Sequence, residues 1–269
     1  MTQSLTYDRL NTLDVWHEMP TITLDEMRSV KLMNRIDTKY VLSEEEVLRL
    51  LDSAAKAGYS VQITEGVRAC RYLTLYYDTP EREMFTLHHN RKLTRQKLRT
   101  RTYLESGTTF FEIKNKSNRG RTKKRRTEIK AEELTCFAQN SEARELLTRN
   151  SRYTTAELTP ALATSFCRIT LVNPTLTERS TIDLELKYED ARTGHKESIE
   201  RMAIVEIKQD GNTPSTMKLM LRDMHIAPLK VSKYCLGTTL TVEGIKHNRF
   251  KAKIQQINKR LNTKKDDRI

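Results

Sequence analysis

The sequence predicts an α+β fold: a closed antiparallel β-barrel with helices packed on its outside. Eight segments alternate apolar and charged residues with the period of a strand, at 35–41, 69–78, 91–104, 108–116, 122–130, 164–172, 179–188 and 201–208. Segments with helical apolar stripes fall between and after them. A hydrophobic content of 37% over 269 residues is enough to build a core. The expected divisions are a helical lead-in at 1–31, the barrel domain at 32–244, and a basic C-terminal helix and tail at 245–269.

Alternate residues of a strand point to opposite faces, so each segment splits into two sets. In 179–188 one set is Arg179, Thr181, Asp183, Glu185 and Lys187, and the other is Ile182, Leu184, Leu186 and Tyr188. Phe111 and Ile113 oppose Glu112, Lys114 and Lys116, while Arg35, Asp37 and Lys39 oppose Ile36 and Tyr40. Arg99 shares a face with Arg101, Arg168 stands opposite Cys167 and Ile169, and Glu206 stands with Lys208. A plain antiparallel sheet with one solvated face accounts for alternation alone. Two features favour the barrel. The charged faces carry Arg, Lys and carboxylates in short units, R-x-D-x-K, R-x-R, E-x-K-x-K, D-x-E-x-K and E-x-K, instead of the Thr, Ser, Gln and Lys of a solvated face. Helices can also cover the outward apolar faces and turn the charged ones inward around a hydrated tunnel. Inward cations are costly without counter-charge, so that tunnel requires an anion.

The helical segments have their own signals. Ser43 with Glu46 reads as a capping box opening a helix to about Ala57, with Val47, Leu50, Leu51 and Ala54 as its apolar stripe. Further helices are expected over 131–149 and, after a Gly211-Asn212 turn, over 214–224. Phe250, Ile254, Ile257 and Leu261 stripe a C-terminal helix whose apolar face needs a partner, which favours docking on the barrel over a free nucleic-acid arm.

A net charge of +13, from 48 Lys+Arg against 35 Asp+Glu, calls for an acidic partner. Cys70, Cys136, Cys167 and Cys235 form no C-x-x-C pair, which argues against a disulfide framework or zinc site and for a reducing cytoplasmic setting. No basic start with an apolar run and no bilayer-length apolar segment occurs. The sequence has no G-x-x-x-x-G-K-[ST] or G-x-G-x-x-G segment, so side chains must hold any nucleotide. The basic run from Arg119 to Arg126 reads more simply as a solvated hairpin than as a nucleic-acid patch, and His88-His89 as a surface pair.

In order along the chain stand Asn34-Arg35-Ile36-Asp37-Thr38-Lys39-Tyr40, Tyr76-Tyr77-Asp78-Thr79, Leu98-Arg99-Thr100-Arg101, Phe111-Glu112-Ile113-Lys114, Phe166-Cys167-Arg168, Arg179-Ser180-Thr181-Ile182-Asp183, Val205-Glu206-Ile207-Lys208 and Lys230-Val231-Ser232-Lys233-Tyr234. From Leu32 to Leu240 this set resembles the polyphosphate polymerase (VTC) domain of the triphosphate tunnel metalloenzymes, a CYTH-like superfamily. The resemblance implies a triphosphate tunnel fold. It implies phosphate ligands at Lys39, Arg99, Arg101, Lys114, Arg168, Arg179, Lys230, Ser232 and Lys233, with further nucleotide contacts at Lys208 and at Arg126 or its neighbour Arg125. Glu206 stands at the place of the family's metal-binding glutamate, for Mn²⁺ or Mg²⁺. The wider superfamily opens with E-x-E-x-K, where this chain has Arg35 and Asp37, a departure toward the polymerase branch and away from a plain triphosphatase.

What the resemblance implies is a metal-dependent phosphotransferase. It would pass the terminal phosphoryl group of ATP to a growing polyphosphate chain, with polyphosphate or pyrophosphate as the other ligands. A triphosphatase or polyphosphatase is the nearest alternative, and a non-catalytic polyphosphate-binding module the alternative of another class. Nucleic acid is not expected. The family's sensor and transmembrane segments are missing from the sequence, which leaves a place for an unidentified membrane partner.

Overall fold

The computed structural model describes residues 4–29, 35–119, 121–211 and 213–266, with side chains except at 28, 29, 35 and 262–266. Leu32 and Asn34 at the start of the resemblance, Asn212 of the expected turn and the Arg35 side chain lie outside it. In chain order the elements are α1 (Tyr7–Asn11), β1 (Thr21–Ile22), β2 (Arg35–Ser43), α2 (Glu44–Lys56), β3 (Ser60–Gln62), β4 (Ala69–Asp78), α3 (Glu83–His89), β5 (Arg95–Tyr103) and β6 (Thr108–Lys116). They continue with β7 (Thr122–Ile129), α4 (Ser141–Asn150), β8 (Thr159–Val172), β9 (Glu178–Asp190), β10 (Lys196–Ser198), β11 (Met202–Asp210), α5 (Thr216–Asp223), α6 (Lys233–Thr241) and α7 (Asn248–Asp266).

The capping box at α2 is present. Ser43 accepts from the Glu46 N–H, and the Glu46 carboxylate accepts from the Ser43 N–H at 2.7 Å. The apolar stripe of α2 packs on Tyr40, Leu42, Ile169, Ile182 and Ile207 from the convex side of the sheet. The helix expected over 131–149 is shorter, because Asn140 caps the Ala143 N–H and only α4 follows, after two 3₁₀ turns. The strand expected from residue 91 begins at Arg95. Before it, the buried Asp78 carboxylate accepts from the Met84 and Phe85 N–H groups at 2.8 and 3.0 Å, which holds the start of α3.

The main strands pair in the order β2-β11-β9-β8-β4-β5-β6-β7, all antiparallel. The expected closure into a barrel does not occur: β2 and β7 end the sheet and do not pair. Part of the reason lies in the edges. β7 carries Lys123 and Arg125, exposed side chains of the kind that blunt an edge strand. The Leu229 N–H donates to the Lys39 carbonyl at 2.8 Å, so the segment after α5, not a strand, lies along β2. The sheet still curves enough for Lys114 on β6 to feel the charge of Glu206 on β11.

The unbroken alternation expected over 179–188 is also interrupted. The β8–β9 register shifts between Ser165 and Cys167, and Glu185 adopts φ 50°. Ile182 and Leu184 pack outward with α2, whereas Leu186 and Tyr188 join a second core with Val41, Tyr76, Leu162, Ile204 and Tyr234. Helix α6 covers this second core so closely that a Cβ on Gly237 would stand 2.5 Å from Tyr188 and 2.7 Å from Leu162. A third core lies outside β4–β7, where Phe111 stacks on Phe137 at 4.2 Å. Among the described residues no helix is long and apolar enough to cross a membrane.

Gly237→Ala therefore overpacks α6 against β8 and β9 and lowers stability by about 1–3 kcal/mol in urea unfolding. An unchanged midpoint would show that α6 is not seated there.

Candidate functional site

Strand register sorts the inward side chains into layers. From one end of β5 to the other, Arg95 pairs with Lys116, Lys97 with Lys114, Arg99 with Glu112, Arg101 with Phe110, and Tyr103 with Thr108. On β7, Lys124 stands beside Lys114 and Arg126 beside Glu112. Across the sheet, Lys39 pairs with Glu206, Glu206 with Thr181, Lys208 with Arg179, and Arg168 with Asp183. These layers enclose a cavity of about 1190 Å³, basic at the Arg95 end and aromatic at the Tyr103 end.

Three carboxylates organise the cations. Asp183 is buried and takes a two-pronged bond from Arg168, Nε to Oδ1 at 2.5 Å and Nη2 to Oδ2 at 2.9 Å, together with the Lys233 ammonium. Glu112 takes Arg99 Nε at 2.7 Å and the Lys124 ammonium. Glu206 lies 3.1 Å from Lys208 and 3.7 Å from Lys39. Burial works to raise all three carboxyls, yet the cations around them outweigh it and hold each below the ordinary carboxylate range. Burial also draws Lys124, Lys208 and Lys233 down to about 8, against the raising pull of their carboxylates. Lys114 is lowered further, by the Arg99 charge and then by burial. Arg101 Nε donates to Thr74 Oγ1 at 2.9 Å, with Tyr72 and Phe166 under its guanidinium.

The K-x-S-K-Y segment is fixed at its C-terminal end. Tyr234 donates its hydroxyl to the buried Asp78, and Lys233 reaches Asp183. Ser232 caps α6 by accepting from the Cys235 N–H at 3.3 Å and also accepts from Lys97 Nζ at 2.9 Å. Its own O–H remains available to a ligand oxygen.

The VTC domain family model matches residues 34–242, most of the chain. The chain belongs to the VTC domain family. Membership places it among polyphosphate- and triphosphate-related proteins of the tunnel fold. Among solved structures, it is similar to a putative adenylyl cyclase from Hippeastrum described as having a dominant triphosphatase activity. That likeness has a TM-score of 0.51 at 14% identity, covering 76% of this chain and 95% of the other. The PH1819 protein of Pyrococcus horikoshii OT3 matches with a TM-score of 0.44 at 12% identity, over 76% of this chain and 97% of that one. No curated protein matches the sequence significantly.

In this VTC domain the twelve residues singled out from the sequence, Lys39, Arg99, Arg101, Lys114, Arg126, Arg168, Arg179, Glu206, Lys208, Lys230, Ser232 and Lys233, all line the one cavity. Arg126 rather than Arg125 faces inward, stacked 4.1 Å over Phe110. Asp183 and Glu112, which anchor the cations, have no place in that set, nor do Lys97, Lys124 and Tyr76, which line the cavity. The alternation that marked Arg99 and Arg101 extends to Lys97. His88 and His89 are not surface residues: His88 lines the cavity, and His89 is buried against Phe85 and Phe250.

Among the described residues no group of three His, Cys, Asp or Glu side chains is placed to hold a metal ion. Glu206 alone is one ionised carboxylate between two ammonium groups, too little for a metal held by protein ligands only. It does fit a divalent cation whose other ligands are phosphate oxygens and water.

The depressed carboxyls set the acid behaviour. Their stabilisation is complete above the ordinary carboxylate range and is lost as pH falls toward their folded values, since the unfolded chain binds protons first. Urea midpoints should therefore fall steadily below about pH 5. Asp183→Asn should cost about 3 kcal/mol at neutral pH by leaving Arg168 and Lys233 unmatched, and should flatten the acid slope. An unchanged slope would remove Asp183 from this role.

Proposed function

We propose that the chain is an ATP-dependent polyphosphate polymerase, which transfers the terminal phosphoryl group of ATP to a phosphate chain in the cavity. The lining supports this most directly: among the described residues, fourteen Lys and Arg side chains face the lining carboxylates Asp37, Glu105 and Glu206, with Glu112 and Asp183 paired to four of the cations. An imbalance of that size suits a ligand with several phosphates. In this reading Arg99, Arg101, Arg168 and Arg179 grip non-bridging oxygens in pairs. Lys39, Lys114, Lys230 and Lys233 act as point charges, with the Ser232 hydroxyl beside them. Arg126 and Lys208 hold phosphates of the nucleotide, and Glu206 takes Mn²⁺ or Mg²⁺ together with phosphate oxygens. When bound, the metal neutralises charge on those oxygens. Four free cysteines and ATP as donor suit the cytoplasm.

In the transfer step, an oxygen of the chain's terminal phosphate forms a bond to the γ-phosphorus of ATP. The bond from that phosphorus to the β,γ-bridging oxygen breaks, and ADP leaves. No protein nucleophile takes part, so the residues contribute alignment and charge neutralisation. Hydrolysis puts water in the acceptor's place and needs a group to take its proton. Glu112, Asp183 and Glu206, held below the ordinary range, are poor bases for that task, whereas a chain's terminal phosphate is already ionised.

Pure protein incubated with ATP and Mn²⁺ should give a ladder of polyphosphate on a gel. Phosphate release without a ladder would mean hydrolysis, and no turnover would leave a binding module. Arg101→Ala and Lys233→Ala should abolish the ladder in folded protein, and survival of activity in both would refute the assignment of the cavity. Affinity for tripolyphosphate should fall above about pH 8, as Lys124, Lys208 and Lys233 lose their protons. A flat profile from pH 7 to pH 10 would show that these ammonium groups do not bind it.

A further inference from the structure

The lining of the cavity changes its chemistry along β5. After Arg99 and Arg101 the next inward position is a ring, Tyr103, and a second ring, Phe110, stands opposite Arg101 on β6. Four rings gather at this end. Tyr72 and Phe166 are buried and stacked on one another at 5.1 Å, beneath the Arg101 guanidinium. Tyr103 leans on Tyr72 at 4.9 Å and meets Phe110 edge-on at 5.9 Å. These two outer rings are only half-buried and line the cavity, and the Arg126 guanidinium lies 4.1 Å over Phe110. At the Arg95 end, by contrast, the ring of Phe250 is packed edge-on by Phe85, His88 and His89.

Half-buried rings beside phosphate-binding cations offer what a nucleobase needs, a flat π-face within reach of its own phosphates. Residues two apart on a strand stand about 6–7 Å from one another, so a nucleotide whose phosphates reach Arg101 and Arg126 carries its base to the level of Tyr103. The polar side chains around the rings are engaged with the chain itself. Gln62 Nε2 donates to Thr64 Oγ1 at 3.1 Å, and Ser106 Oγ to Thr108 Oγ1 at 3.1 Å. Glu105 accepts from the Arg71 N–H at 2.7 Å and from its Nε at 2.9 Å. Ring faces, not a fixed pattern of donors and acceptors, are what this end presents to a base. We propose that the Tyr103 end binds the base of the donor nucleotide by stacking, and that the site therefore takes purine nucleoside triphosphates, GTP as well as ATP, ahead of pyrimidine ones. Stacking tolerates any base with a large enough face, which is why it selects by ring size and not by base edge. The proposal rests on the reading of the cavity as a nucleoside triphosphate site, and adds which nucleotides it accepts and at which end their base lies.

The test measures calorimetric binding to the full chain, with Mn²⁺, of the β,γ-imido analogues of ATP, GTP and CTP and of diimidotriphosphate, a triphosphate without a nucleoside. Tyr103→Leu, which keeps apolar volume but removes the ring, should weaken the ATP analogue about tenfold and leave diimidotriphosphate unchanged. Tyr103→Phe should retain the affinity at an unaltered melting temperature, and Phe110→Leu should show a loss of the same kind as Tyr103→Leu. The GTP analogue should bind within about threefold of the ATP analogue, and the CTP analogue more weakly than both. Equal losses for the ATP analogue and diimidotriphosphate, no loss in either leucine variant, or a GTP analogue bound more than about tenfold below the ATP analogue would overturn the stacking site. None of these probes passes on its terminal phosphoryl group, so the outcome does not depend on turnover. A ladder made from ATP without this selectivity would keep the polymerase and remove the base site, and the selectivity without a ladder would do the reverse.

Discussion

Asp183 holds Arg168 and Lys233 on one buried carboxylate, and much of the molecule depends on that kind of junction. A sheet that turns its basic face inward brings cations from distant strands together, and without counter-charge their repulsion would open the curve. Glu112 and Glu206 do for β5–β7 and for β2 and β11 what Asp183 does for β8, β9 and α6. Each junction is a compromise. The carboxylate cancels enough charge for the cavity to exist empty, and leaves enough uncancelled for it to attract phosphate.

A second polar junction sets the position of the segment that faces the seam. Asp78 accepts from the first turn of α3 and from the Tyr234 hydroxyl, so the end of β4, α3 and α6 share one buried acceptor. Ser232 and Lys233 stand next to that anchor. A tyrosine in the K-x-S-K-Y segment thus has a structural task, and the lysine and serine before it take their positions from that task.

Period-two alternation made the strands and their charged faces legible in the sequence, and the Ser43 box marked α2 in full. Arg99, Arg101, Lys114 and Glu206 could be singled out because their neighbours repeat on one face. The sequence did not show where the alternation fails. Glu185 sits at a left-handed φ in a bulge, and nothing in Asp183-Leu184-Glu185-Leu186 announces that Leu186 will face inward. Asp183 and Glu112 were visible as charged strand residues but not as anchors, because a carboxylate's partners come from other strands. His88 read as surface because no Cys or carboxylate stands near it at metal-ligand spacing; what turns it into the cavity is α3, held by tertiary contacts to Asp78. Closure failed for a similar reason, since face pattern carries no information on which edges meet.

The unclosed seam gives the cavity an uneven mechanics. Around most of the circumference, neighbouring strands are laced by ladders, interrupted only by the register shifts in β4–β8 and β8–β9, and spreading any two of them breaks a row of backbone bonds at once. Between β2 and β7 no ladder runs among the described residues, and chain that belongs to no strand is tied to β2 by the bond from the Leu229 N–H to the Lys39 carbonyl. Compliance is therefore concentrated along a single line, the one that carries Lys230. A widening of the chamber along that line would break no strand pairing.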